Sequence, residues 1–152
     1  MDFYIVRHGK AKSGPEDPRR PLSDQGRIEV EKVARSAAAK EIWITEILHS
    51  GKLRAKQTAE ILAQSLSPRR GVREINGLSP EDDPLAARAE LEAAREPLML
   101  VGHLPHVSRL VSMLVVGDPE NEIIEFPPAA MACLSRERRA WEVKWTLTSE
   151  AA

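Results

Sequence analysis

The chain holds one cysteine, Cys133, which excludes an internal disulfide and fits a reducing compartment. No apolar run approaches the roughly 18 residues needed to cross a bilayer, so no spanning segment is expected. Charge of one sign is also missing. The net charge is −1, which argues against global attraction to nucleic acid or anionic membranes. There is no internal repeat and no low-complexity linker. The N-terminus opens directly on a strand-like run, with no basic region and no small-residue cleavage site, so no signal peptide is expected and the expected location is cytoplasmic. Neither G-x-x-x-x-G-K-[ST] nor G-x-G-x-x-G occurs, which disfavours a nucleotide-binding switch.

What is present is an ordinary water-facing composition, 42% hydrophobic and 30% charged, in 152 residues. That length suits one domain over 1–152 and is short for two. Residues 2–6 read as a buried strand, followed by a polar loop over 9–21. Ser23 reads as the cap of a helix over 23–40, with Ile28, Val30, Val33, Ala34, Ala37 and Ala38 as its apolar positions. A second strand is predicted at 45–49. Ser50 would then cap a helix over 51–66, with Leu53, Ile61, Leu62 and Leu66 inward. A weak strand near 72–75 leads through the loop 76–83 to a helix over 84–95, with Pro84 in its first turn. The run Leu98–Val101 is continuously apolar, as a central parallel strand is, and a fourth helix follows over 105–116. Residues 130–135 and 141–147 flank a polar turn. Trp141, Val143, Trp145 and Leu147 alternate with polar residues and predict one buried strand face shared by both tryptophans. Strand–helix alternation closed by a hairpin means an α/β domain, a mostly parallel sheet with helices on both faces and a C-terminal antiparallel hairpin.

Three segments place basic groups at the carboxyl ends of predicted strands: Arg7-His8-Gly9, the Ser50–Thr58 segment containing Arg54, and Gly102-His103-Leu104-Pro105. If those strands are parallel, Arg7, His8, Arg54 and His103 converge on one crevice, where ligands sit in such sheets. Two guanidiniums, two imidazoles and two helix N-termini suit a multiply charged anion, most naturally phosphate. His103 and His106 could in principle form a metal pair, but no cysteine or third clear ligand joins them, so no metal site is expected, and His106 is expected exposed at the rim. His49 and Cys133 read as structural. Lys10, Lys12, Arg19 and Arg20 form either a solubilising loop or a basic rim that steers phosphate or docks an acidic partner.

Five stretches, IVRHGKA (5–11), PLSDQG (21–26), LHSGKLRAKQTAEIL (48–62), LVGHLPHVSRLV (100–111) and EFPPAAMACL (125–134), resemble in order the histidine phosphatase superfamily, which includes the phosphoglycerate mutases. The chain is most similar to the small SixA-type phosphohistidine phosphatase branch, which it also resembles in lacking lid insertions. The resemblance implies a phosphoglycerate mutase-like fold, His8 as the nucleophile that becomes phosphohistidine, and Arg7, Arg54 and His103 as phosphate-binding partners. It implies no cofactor. Neutral His8 needs an acceptor that fixes its tautomer, and a backbone carbonyl near Gly9 is the candidate. His103 is expected to donate as an imidazolium.

One position departs from larger relatives. Leu104 stands where some carry an Asp that protonates the leaving group; in the loop where others carry a Glu, Glu81 and Asp82 are the candidate acids. A phosphoramidate needs less acid help than an alkyl ester, because protonated imidazole already leaves well. The expected function is therefore a metal-independent phosphatase with a phosphohistidine intermediate, acting on phosphohistidine borne by a protein such as a histidine-containing phosphotransfer domain of signal transduction. The alternatives are a small-molecule phosphomonoesterase on the same site and a non-catalytic phosphate-binding module.

Overall fold

A computed structural model describes residues 1–152. The elements run β1 (Asp2–Arg7), α1 (Asp24–Ala39), β2 (Glu46–His49), α2 (Leu53–Leu66), β3 (Val72–Glu74), α3 (Leu85–Ala93), β4 (Leu98–Gly102), α4 (His106–Val116), β5 (Met131–Glu137) and β6 (Ala140–Leu147). They form one six-stranded sheet in the order β3-β2-β4-β1-β5-β6. The first four in that order are parallel, and β5 and β6 close the sheet as an antiparallel hairpin.

Alternation along β1 builds two cores. Tyr4 and Val6 face one way, onto Val30, Val33 and Leu62 of α1 and α2. Phe3 and Ile5 face the other way, onto Leu91, Leu110 and Val111 of α3 and α4. β4 is buried on every residue because it lies between β2 and β1 with helices on both sides. The result is the three-layer, mostly parallel architecture that the residue pattern predicts.

Several local expectations differ from the structure. Ile28 is 58% exposed, and Ala38 is only partly buried. The inward stripe of α1 is Gly26, Val30, Val33, Ala34 and Ala37, and position 28 lies off it. On α2, Ile61 and Leu62 are buried and Leu66 packs half-buried against the same core, as expected, while Leu53 is only half-buried and the remaining inward positions are Ala55, Thr58 and Ala59. α3 ends at Ala93, two residues earlier than its composition suggests. Trp141 and Trp145 do not share a face. Between Cys133 and Leu134 the ladder shifts, so Cys133 opposes Trp145 while Leu134 opposes Val143. The additional residue in β6 reverses the phase of the alternation. Trp141 therefore packs against Phe3 in one core, ring centroids 5.3 Å apart and tilted by 50°, and Trp145 lies 6.0 Å from Tyr4 on the other face.

Gly26 shows how tightly the loop after β1 is tied down. Ser23 caps α1 by accepting the Gly26 N–H at 3.0 Å, and its own N–H donates to Lys10 O at 3.0 Å. A Cβ on Gly26 would lie 2.0 Å from that same Lys10 carbonyl oxygen. Glycine to alanine inside a helix ordinarily stabilises by about 0.5–1 kcal/mol. Gly26→Ala should instead destabilise by about 1–3 kcal/mol, the range for forced overpacking. A denaturant midpoint equal to or above wild type would contradict this packing.

Candidate active site

The parallel register sets three strand ends side by side. Arg7 pairs with Gly102, and His49 pairs with Val101. His8, His103 and Ser50 follow directly on β1, β4 and β2, at the carboxyl edge of the sheet. α2 starts three residues beyond Ser50 and carries Arg54 in its first turn. The His8 and His103 rings lie 4.9 Å apart, centroid to centroid. The predicted convergence is thus what the topology produces.

The His8 backbone is held at both ends. Its N–H donates to Gly102 O at 2.9 Å, and its C=O accepts the Ala129 N–H at 3.1 Å. The ring Nδ1 lies 2.6 Å from Gly9 O. A carbonyl only accepts, so Nδ1 carries the proton and Nε2 keeps its lone pair. Burial, opposed by the Gly9 hydrogen bond and reinforced by the positive fields of Arg54, Arg7 and Arg20, lowers the His8 pKa from 6.5 to about 4. The ring is a neutral base in a positive surrounding.

That positive charge is uncompensated. Arg7 donates to Phe126 O at 2.9 Å, while its Nε and the Nε of Arg54 are buried without a partner. Neither guanidinium is in an ion pair, nor are Arg20 and Lys52. Burial lowers the pKa of both Arg7 and Arg54, and Arg20 adds repulsion at Arg54. Partly buried cations without counterions are costly, and an anion in the crevice would relieve that cost. The arrangement can grip a phosphoryl group with planar donors while presenting a free imidazole lone pair to phosphorus.

Ser50 has a different role from the one its position before a helix suggests. It does not cap α2: the N-cap position is Lys52, with no side-chain bond. Its hydroxyl lies 2.6 Å from His103 Nε2 and accepts the Lys52 N–H at 3.3 Å. The surroundings of His103 favour the neutral ring in the free site. Burial first, then the fields of His8, Arg54, Lys52 and His106, lower its pKa to about 3. The expected imidazolium is absent without an anion, and a bound dianion would raise that pKa again.

The remaining candidates divide. Arg20 contributes its field at His8 and Arg54, held by its Nε on Lys12 O at 3.1 Å. Arg19 is paired with Asp17 at 3.2 Å, and Lys10 is exposed. Lys12 is half-buried and serves the loop through its backbone. His106 is buried, 1% exposed, rather than at the rim, because the Gly77–Asp83 loop covers the start of α4 and brings Asp82 and Asp83 near the ring. No group of three His, Cys, Asp or Glu side chains converges as metal ligands would. His49 accepts the Gly51 N–H on Nδ1 at 3.0 Å, a structural use. Glu81 is exposed. Asp82 accepts the Ser79 N–H at 2.9 Å and lines a groove of about 660 Å³ that also includes Ser50, Asn76 and Asp83. Gln57 Oε1 accepts the Leu22 N–H at 2.7 Å and ties the loop to α2.

The depressed imidazoles have a consequence for stability. His8 and His103 titrate at about 4 and about 3 when folded, against 6.5 ordinarily. The unfolded chain therefore binds protons first on acidification. The contribution is complete above pH 6.5 and is lost as pH falls toward 4. The melting temperature should fall between pH 7 and pH 5, above most carboxylate titration, and His103→Gln should flatten that slope. A wild-type profile that is flat over this window would show that the rings are not held neutral.

The comparisons with known proteins agree with this geometry. The model of the histidine phosphatase superfamily (branch 1) matches residues 3–97. The chain is 36% identical over 131 residues to an uncharacterized protein of Picosynechococcus sp., covering 81% of this chain and 78% of that one. It is 30% identical over 123 residues to phosphohistidine phosphatase SixA of Escherichia coli, covering 78% and 76%. The structure of the protein histidine phosphatase SixA complexed with tungstate matches with a TM-score of 0.86 at 27% identity, over 98% of this chain and 97% of that one. Phosphoserine phosphatase of Entamoeba histolytica, in complex with 3-phosphoglyceric acid, shares the fold, with a TM-score of 0.74 at 12% identity over 97% and 96%. The chain belongs to the histidine phosphatase superfamily, in its SixA-type branch, and its chemistry is that of a phosphatase.

Proposed function

We propose that the chain is a phosphohistidine phosphatase in which His8 is the nucleophile, and that its substrate is phosphohistidine on a protein. The observation that carries the reading is the Nδ1 bond of His8 to Gly9 O, which leaves Nε2 unprotonated beside two unpaired guanidiniums. Nε2 attacks phosphorus in line. The P–N bond to the substrate imidazole breaks as the P–Nε2 bond forms, and the substrate ring leaves carrying its proton. Water then attacks phosphorus, the P–Nε2 bond breaks, and inorganic phosphate is released. Charge spreads over the equatorial oxygens in both steps, and Arg7, Arg54 and His103 are the groups that meet it. Fixed positive charge does here what a metal ion does elsewhere, so the reaction needs none.

The absence of a well-placed acid supports the phosphoramidate. Glu81 is exposed, and Asp82 is engaged with Ser79. An alkyl alcohol would leave as a poor alkoxide without a proton donor, whereas imidazole does not. A second reading, a small-molecule phosphomonoesterase, draws on Asp82 in the groove that reaches Ser50, from which a carboxyl could serve a small leaving group. A binding module has no use for the tautomer lock on His8. No nucleic acid or membrane partner is part of this proposal.

Phosphate release should be compared from a phosphohistidine-bearing phosphotransfer protein and from an alkyl phosphate ester such as glycerol phosphate, each with and without EDTA. Fast release from the protein, slow release from the ester and indifference to EDTA are expected, and His8→Ala should abolish turnover while retaining anion binding. Faster release from the ester would move the assignment to the small-molecule reading, and turnover by His8→Ala would remove His8 as nucleophile. Arg54→Ala should lower kcat by about 10²–10³-fold, the loss typical of one oxyanion donor. A kcat within twofold of wild type would place Arg54 outside the reacting centre.

A further inference from the structure

Thr58 is buried at 0% exposure in the second turn of α2, yet it touches both halves of the site. Its hydroxyl donates to Arg54 O at 2.8 Å, the i−4 bond that a helical threonine makes. That commits its proton, so the oxygen is left as an acceptor, and it accepts the Gly9 N–H at 3.0 Å. Gly9 is confined on its other side by α1: a Cβ there would lie 2.5 Å from Val30 Cγ2. Gly9 is therefore clamped between two helices, with the Thr58 hydroxyl as its polar anchor. The carbonyl of the same residue, one peptide plane further on, is the one that receives His8 Nδ1–H.

We propose that Thr58 is a positioning residue for His8. Through the Gly9 N–H it pins the His8–Gly9 peptide plane and the Gly9 Cα, the base from which the Gly9 carbonyl reaches His8 Nδ1, and through that carbonyl it fixes which imidazole nitrogen is free. The relay also registers the nucleophile turn against α2, the helix that carries Arg54, so the attacking atom and one arm of the anion clamp are set by a single side chain. It rests on the reading of His8 as nucleophile, but its first observable, the tautomer, is independent of turnover.

Thr58→Val keeps the shape and removes the hydroxyl; Thr58→Ser keeps the hydroxyl. The imidazole of His8 is followed by 15N NMR in each full-length variant, alongside kcat and KM on a phosphohistidine-bearing phosphotransfer protein. Thr58→Val should lose the single Nδ1–H tautomer of His8 and lower kcat by up to about 100-fold, the scale of a small misplacement of a reacting group. KM should change far less, because the guanidiniums keep their charge, and Thr58→Ser should restore both the tautomer and kcat. An unaltered His8 signature in Thr58→Val overturns the proposal, whether kcat falls or not, because any loss would then act through Arg54 or through stability alone. If Thr58→Val does not fold, Thr58→Ala removes the same hydroxyl and is read in the same way. If the tautomer shifts but His8→Ala still turns over, the relay stands and the nucleophile assignment fails.

Discussion

β1 and β4 pair in parallel with Arg7 opposite Gly102, and the site follows from that pairing. Parallel neighbours end on the same side of the sheet, so the residues just past each strand share one edge. His8 and His103 become neighbours although 94 residues of chain separate them. β2 pairs on the far side of β4 and adds Ser50 and, through α2, Arg54. Continuous burial of these strands on both faces holds the register, since a slip would drive apolar residues out of two cores at once.

On that edge the protein gathers positive charge without neutralising it. Carboxylates are plentiful in the sequence, yet the ion pairs formed lie elsewhere: Arg69 and Arg70 with Glu96, Arg73 with Glu46, Lys144 with Asp2. Arg7 and Arg54 are left to an anion. The same field, added to burial, keeps His8 and His103 unprotonated, so one electrostatic arrangement serves both grip and nucleophilicity. The cost is carried by the packed scaffold beneath. Backbone bonds from Gly102 and Ala129, with a side-chain bond from Thr58, immobilise the turn on which His8 and Gly9 sit.

Legibility differed by the range of the interaction involved. The α1 cap at Ser23 and the two-sided burial of β4 are local consequences of residue order and were readable. The hairpin was readable too, but its bulge was not, because the additional residue in β6 has meaning only against its partner β5. Ser50 looked like a cap because serine before a helix usually is one. Its actual partner, His103, is 53 residues away. His106 looked exposed because nothing in its own helix turn says that the Gly77–Asp83 loop folds over it.

The sequence by itself determined the element order, the strand ends that carry Arg7-His8, Arg54 and His103, and the family to which those motifs belong. It even implied a backbone carbonyl near Gly9 as the partner of His8; the structure identifies it as that of Gly9 itself, a contact that spans one residue. Only the tertiary structure decided the protonation of the two imidazoles, the pairing of Ser50 with His103, the double duty of Thr58 and the separation of the two tryptophans onto opposite faces. Motif and periodicity are properties of neighbours along the chain. Burial, electric field and hydrogen-bond direction are properties of neighbours in space, and they exist only once the sheet has brought distant strand ends together.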